Sequence, residues 1–71
     1  MLFEKLVIAR MRDTTLEVVI NTGLMYGHKI MKIGDYRFIE LSDDCVAVEG
    51  ERFNAKCTTW EQLEFIYKAV R

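Results

Sequence analysis

The sequence predicts an α+β fold: a five-stranded antiparallel meander or small open barrel with a C-terminal helix. Two observations predict it. Short runs of β-branched and aromatic residues recur through the middle of the chain, separated by Gly, Asn and Asp residues that favour turns. The last part of the chain instead carries apolar residues at helical spacing behind a capping signal. The chain has 71 residues, the size of a single domain, so we expect one domain over residues 1–71.

The N-terminal segment fits two kinds of element. Leu2, Phe3, Leu6 and Val7 would form the apolar face of a short amphipathic helix. Residues 5–12 also alternate between apolar and charged side chains, as an exposed strand would. Periodicity does not decide between the two in so short a segment. Both a helix and a strand therefore stay open for this part of the chain.

The five predicted strands are separated by residues that suit turns. Asn21 and Gly23 are expected to turn the chain after the first strand, because both residue types tolerate a positive φ. Gly27 is expected to mark a bulge or a close backbone approach within the second strand. Gly34 opens the tight turn that follows. The predicted strands cover residues 16–20, 26–33, 36–41, 45–48 and 52–57.

The C-terminal helix has the clearest signal in the sequence. Thr58 or Thr59 is the predicted N-cap, because each is followed three residues later by Glu61 or Gln62, as in a capping box. One stripe with a period of 3.6 residues carries the apolar side chains that we expect to reach the core. These side chains are Trp60, Leu63, Ile66, Tyr67 and Val70, and Trp60 is expected to anchor the stripe.

Phe65 lies off this stripe. At about 100° per residue, its side chain points to the polar side of the helix, beside Glu61, Lys68 and Ala69. A large aromatic residue at that place suits a second contact surface. We therefore take these four residues as the candidate partner interface. The alternatives are a singly exposed Phe, or a helix buried on two sides within its own chain.

The two cysteines and the one histidine of the chain do not suggest a reactive site. A nucleophilic thiolate would need an imidazole beside it, and nothing in the sequence places His28 near either thiol. Cys57 shares the predicted inward face of its strand with Phe53 and Ala55, and Cys45 opens an apolar strand, so both are expected to be small core residues. The ligand spacing of a zinc site is absent. We expect no catalytic residue, no metal and no cofactor, and hence no enzyme.

The charge and hydropathy of the sequence predict a cytoplasmic chain. Glu4, Lys5 and Arg10 interrupt the N-terminal apolar stretch, so no secretory signal is predicted. Uninterrupted apolar runs, such as residues 6–9, are too short to span a bilayer. Two cysteines are too few for a disulfide scaffold. We therefore expect a cytoplasmic chain with reduced thiols and no membrane partner.

A nucleic-acid interface is the second candidate site. Tyr26, His28, Lys29, Lys32 and Arg37 mix aromatic and basic side chains across one predicted hairpin. Aromatic side chains on a sheet can stack on unpaired bases while cations bind the phosphates. The formal net charge of −1 gives the chain no general affinity for phosphate, however. Nucleic acid is thus an alternative partner, and a hairpin whose aromatics face the core is the favoured interpretation.

The order of the predicted elements resembles the Sm-like small β-barrels. The resemblance covers about residues 16–57 and rests on two short motifs of apolar strands with glycines at set places. The motifs are carried by residues 16–23, Gly27, Asp35, residues 38–41, residues 46–50, Phe53 and Ala55. The resemblance implies ring assembly through strand edges. The positions that grip the RNA base in that family differ here: Glu49 precedes Gly50 where the family has Arg, and Ile39 or Glu40 stands near the family's Asn.

Taken together, these features favour a non-catalytic protein-interaction module. Such a module would bind another protein or a second copy of itself. A compact domain of this size without a visible site is similar in type to the small regulators and inhibitors of larger proteins that phage and mobile-element genes often encode. The alternative function is that of an Sm-like oligomer that binds nucleic acid.

Overall fold

The computed structural model describes residues 1–14, 18–25 and 27–71. It confirms the predicted α+β class, with one five-stranded antiparallel sheet and a helix at each end of the chain. The N-terminal segment, left open between helix and strand, is a helix. In chain order the elements are α1 (Leu2–Asp13), β1 (Ile20–Met25), β2 (His28–Ile33), β3 (Tyr36–Ser42), β4 (Cys45–Glu49), β5 (Asn54–Cys57) and α2 (Trp60–Val70).

Charge and burial together explain why the first segment is helical. Glu4 lies in the first turn and Arg10 and Arg12 lie in the last, which is the arrangement that the helix dipole favours. Leu2, Phe3 and Leu6 are buried, so one face of α1 packs on the core. The Leu2 amide also donates a hydrogen bond of 2.9 Å to the carbonyl of Asp43, which attaches the start of the helix to the β3–β4 turn.

The sheet is an open meander in which the strands lie in the order β1-β2-β3-β4-β5. Every neighbouring pair is antiparallel. Phe38 on the central strand lies between Met31 of β2 and Val48 of β4 in the register. In the described part of the chain, β1 and β5 do not pair with each other, so the sheet does not close into a barrel.

The first strand lies later in the chain than predicted. Residues 16 and 17 of the predicted strand are outside the described residues, and β1 begins only at Ile20. Asn21 and Gly23 lie inside β1 and do not form the predicted turn. The register shifts between Thr22 and Met25, and Gly23 has a φ of 93° within that irregularity. Positive φ is as useful in a β-bulge as in a turn, which is why the turn prediction was wrong here.

The turn falls instead at Gly27, which was predicted to mark a bulge or a close backbone approach within the second strand. Gly27 has a φ of 85° and lies between Met25 and His28, which are register partners on β1 and β2. A hairpin loop this short needs positive φ, which glycine adopts at little cost. The prediction therefore placed this turn too early in the chain, at Gly23.

Both helices pack on one face of the sheet. Because side chains alternate along a strand, Phe38 points into this main core while Ile39 points to the other face. The main core joins Phe3 and Leu6 of α1 with Leu63 of α2 and the sheet residues beneath them. A smaller apolar cluster occupies the other face, and its buried members are Ile30, Ile39 and Ala47.

Phe53 does not share the core with Cys57, as its spacing had predicted. Cys57 is buried and Ala55 is partly buried, but Phe53 precedes β5 and remains 41% exposed. Its ring makes an edge-to-face contact with Tyr36, with ring centroids 6.2 Å apart. The alternation prediction failed at this position because the strand begins only at Asn54.

Candidate functional site

The candidate site on α2 is held in place by a well-formed helix start. Thr59 is the N-cap, and its side chain accepts a hydrogen bond of 3.3 Å from the Gln62 amide. The Gln62 side chain in turn accepts one of 2.9 Å from the Thr58 amide. Thr59 and Gln62 thus take the N-cap and N3 positions of the predicted capping box, but the returning bond reaches Thr58, one residue before the N-cap. The Thr59 side chain pairs the Gln62 amide, one of those that a helix start leaves without a partner, so α2 has a defined first turn.

The outer face of α2 consists of the four residues of the predicted partner interface. Phe65 is the most exposed large apolar side chain among the described residues, at 78%. Glu61, Lys68 and Ala69 are exposed around it. The side chains of Leu63 and Tyr67 are buried on the opposite side of the helix. Phe65 therefore takes no part in the core that holds α2 on the sheet.

A second feature of α2, which the sequence did not indicate, is its connection to α1. The Tyr67 hydroxyl donates a hydrogen bond to the Asp13 carboxylate, and the Arg71 guanidinium lies 2.7 Å from the same carboxylate oxygen. Arg71 also lies over the Tyr67 ring, 5.8 Å from its centroid. These contacts join the C-terminal ends of the two helices. Pairs so distant in sequence carry no local spacing signal by which they could have been recognised.

The same contacts shift the proton equilibria of the three groups. The hydrogen bond from Tyr67 and that from Arg71 lower the pKa of Asp13, because both favour the ionised carboxylate. Burial, together with the bond to Asp13, raises the pKa of the Tyr67 phenol. Hydrogen bonding to Asp13 raises the pKa of Arg71. The cluster is therefore a charged carboxylate held between a neutral phenol and a guanidinium at neutral pH.

Beside this cluster, an open groove of about 460 Å³ runs between α1 and α2. Ile8 and Ala9 line it from α1, and Trp60 lines it from α2. Its charged lining residues are Lys5, Arg12, Asp13, Glu64, Lys68 and Arg71. The groove thus combines an apolar surface with more cations than anions, and it adjoins the outer face of α2 at Lys68.

The predicted nucleic-acid residues do not all come together. Tyr26 lies outside the described residues. His28, Lys32 and Arg37 share the sheet face opposite the helices, where Lys32 and Arg37 are register partners. Lys29 lies on the helix side, in a depression next to α1. The Arg37 guanidinium also forms an ion pair of 3.2 Å with Glu49, so that part of its charge is already compensated within the chain.

The two thiols differ in their surroundings. Cys57 is buried and Cys45 is half-buried, and both are free. Burial raises the pKa of the Cys57 thiol, and the nearby Cys45 adds to this shift. A raised pKa keeps a thiol protonated and unreactive. Among the residues that the structure describes, no three His, Cys, Asp or Glu side chains lie together in a way that could hold a metal ion.

Comparison with known proteins adds no family to this picture. No family model, no curated protein and no solved structure matches the chain. Within the described residues, neither helix has the length and apolar character needed to cross a membrane. The geometry of the surface is therefore the basis on which a function is proposed.

Proposed function

We propose that this chain is a non-catalytic protein-interaction domain that binds through the outer face of α2. The observation that carries the proposal is the 78% exposure of Phe65 on a helix whose opposite side is buried in the core. Interfaces commonly place an aromatic anchor at their centre and polar residues at the rim. Phe65 has that central position, with Glu61 and Lys68 as its rim and the small Ala69 beside it.

The rigidity of the surface supports the same function. Forming an interface costs less conformational entropy when its side chains are already positioned. α2 begins with the Thr59 N-cap and is joined near its end to α1 through Asp13, so Phe65 projects from a supported segment. A domain of this kind acts by occupying a surface on a larger protein or on a second copy, in the way of a small regulator or inhibitor.

Site-specific photo-crosslinking tests this proposal. A photoreactive phenylalanine analogue is placed at Phe65, and in a matched control at Met11, which is 61% exposed on α1. Sedimentation of the purified chain measures self-association, and crosslinking in the producing cells reports a protein partner. We expect a light-dependent adduct of defined mass from position 65 and a much weaker one from position 11. Equal labelling from both positions, or none from position 65, would contradict the assignment of the interface.

The alternative proposal is an Sm-like oligomer that binds nucleic acid. One observation favours it: Lys32 and Arg37 lie side by side on the sheet face that carries neither helix. A labelled single-stranded RNA provides the test by fluorescence anisotropy. Binding that falls in a Lys32→Ala variant, but not in a Lys29→Ala variant of the opposite face, would support this alternative. RNA binding that neither substitution changes, or none at all, would contradict it.

A further inference from the structure

We propose that the groove between α1 and α2 binds an acidic segment of the protein partner, one that carries an apolar side chain between its carboxylates. The inference rests on the proposed function, because it names the chemistry of the partner. It uses a surface that adjoins the Phe65 face but is not part of it. Lys68 is the residue shared by the two surfaces.

The charges of the groove carry the first step of the argument. Asp13 is compensated by Arg71 at 2.7 Å, and Glu64 is compensated by Lys68 at 3.8 Å. Lys5 and Arg12 have no acidic partner among the described residues. Two cations therefore remain available on one groove of a chain whose formal net charge is −1. Such a local excess of positive charge attracts a negatively charged ligand.

The apolar lining carries the second step. Ile8 is 50% exposed where it borders the groove, and Trp60 is half-buried on the facing helix. These side chains leave apolar area in water that a ligand can cover. A ligand with charge alone would leave this area unused. A peptide with an apolar side chain between two carboxylates would contact both the cations and the apolar lining.

Arg12 contributes geometry as well as charge. Its planar guanidinium can donate two parallel hydrogen bonds to one carboxylate, whereas the ammonium of Lys5 acts as a point charge. Nucleic acid fits this groove less well than an acidic peptide. Strong phosphate binding uses many cations along a strand, and here two free cations border an apolar surface.

Titration of the ¹⁵N-labelled full chain with a defined peptide tests the inference. The probe is a blocked peptide of alternating Glu and Leu residues, and the control peptide has Lys in place of every Glu. We expect the Glu peptide to shift the resonances of Ala9 and the Trp60 indole N–H, which line the groove. The Lys peptide is expected to shift neither. Raising the salt from about 50 to about 300 mM should weaken binding several-fold, because exposed charges are screened.

Two charge-matched double variants locate the binding. Lys5→Gln with Arg12→Gln removes the free cations of the groove, whereas Lys29→Gln with Arg52→Gln removes the same charge elsewhere on the exposed surface. We expect the first to weaken binding of the Glu peptide about tenfold and the second to change it less than about twofold. Thermal melting of both variants reports whether folding is retained. A single Lys5→Gln variant, in the first half of α1, provides the same comparison should the double variant unfold.

Three results would overturn the inference: no shift up to about 2 mM peptide, shifts confined to the open sheet face, or equal weakening by the two double variants. RNA competing with the peptide for the groove would also overturn it, in favour of a nucleic acid as the occupant. The proposed function fails separately, because crosslinking from position 65 does not involve the peptide. If the peptide binds but position 65 gives no crosslink, the groove remains assigned as a peptide site and the Phe65 face is rejected as an interface. If position 65 gives the crosslink but the peptide does not bind, the Phe65 face remains assigned and the groove is rejected.

Discussion

Tyr67 donates a hydrogen bond to the carboxylate of Asp13, although the two residues are 54 positions apart in the chain. The bond joins the end of α1 to the end of α2, and Arg71 strengthens it with an ion pair to the same carboxylate. The relative position of the helices determines the width of the groove between them. These three residues therefore connect the stability of the fold to the shape of this groove.

The first prediction concerns acid stability. The pKa of Asp13 is lowered in the folded chain, so its contribution to the free energy of unfolding is present above the ordinary carboxyl value of about 3.9. This contribution is lost as the pH falls from there through the lowered folded-state pKa. We expect an Asp13→Asn variant to be less stable at neutral pH and to lose less stability on acidification. Urea denaturation followed by circular dichroism from neutral pH to pH 2 measures both.

The control for this experiment is Asp44→Asn, which changes an exposed carboxylate in the β3–β4 turn. It is expected to keep the pH dependence of the parent chain. If the Asp13 variant and the parent lose stability in parallel as the pH falls, the contact with Tyr67 and Arg71 does not contribute in the way described.

The second prediction concerns Gly50, which directly follows β4. A Cβ atom at this position would lie 2.6 Å from Cε1 and 2.7 Å from Cδ1 of the Tyr36 ring. Gly50→Ala should therefore displace the ring, which also contacts Phe53, at a cost of about 1–3 kcal/mol in the free energy of unfolding. In a Tyr36→Ala background the same substitution should cost much less. Equal costs in both backgrounds would show that the contact with Tyr36 is not the reason for glycine.

The third prediction separates the two cysteines, which the sequence placed together in the core. Cys57 is buried and its pKa is raised, whereas Cys45 is half-buried. Because the thiolate is the reactive form, we expect iodoacetamide to modify Cys45 well before Cys57 in the folded chain, and both at similar rates in urea. Mass spectrometry of Cys45→Ser and Cys57→Ser variants assigns the rates. Faster modification of Cys57 than of Cys45 without unfolding would be inconsistent with its burial.

Local signals predicted the parts of the fold that depend on neighbours in sequence. The Thr59–Gln62 cap and the position of Phe65 outside the apolar stripe follow from spacing within a few residues. The register irregularity at Gly23 was predicted as a turn, and the turn at Gly27 as a bulge or a close backbone approach. Positive φ suits all of these, and only the pairing of β1 with β2 distinguishes them. The contact between Asp13 and its partners on α2 depends on the packing of two distant helices. No spacing in the sequence encodes it.

The fourth prediction corrects the residue that anchors α2. The sequence suggested Trp60, but Trp60 is only half-buried at the groove, whereas Leu63 is fully buried in the main core. We expect Leu63→Ala to cost about 2–5 kcal/mol in the free energy of unfolding, since it removes a buried side chain and leaves a cavity. Trp60→Ala should cost clearly less. Chemical denaturation of both variants measures the two losses in the free energy of unfolding. A larger loss for Trp60→Ala than for Leu63→Ala would show that Trp60 is the anchor after all.

The fifth prediction concerns the folding role of Phe65, independent of any partner. Its ring is 78% exposed, so its removal opens no cavity and uncovers little buried area. Alanine also has a higher helix propensity than phenylalanine, by a few tenths of a kcal/mol. Phe65→Ala should therefore melt within a few degrees of the parent, or slightly above it, while Leu63→Ala on the opposite face melts far earlier. If Phe65→Ala instead unfolds as early as Leu63→Ala, the ring contributes to the core. The outer face of α2 would then no longer be a free surface on which a partner could bind.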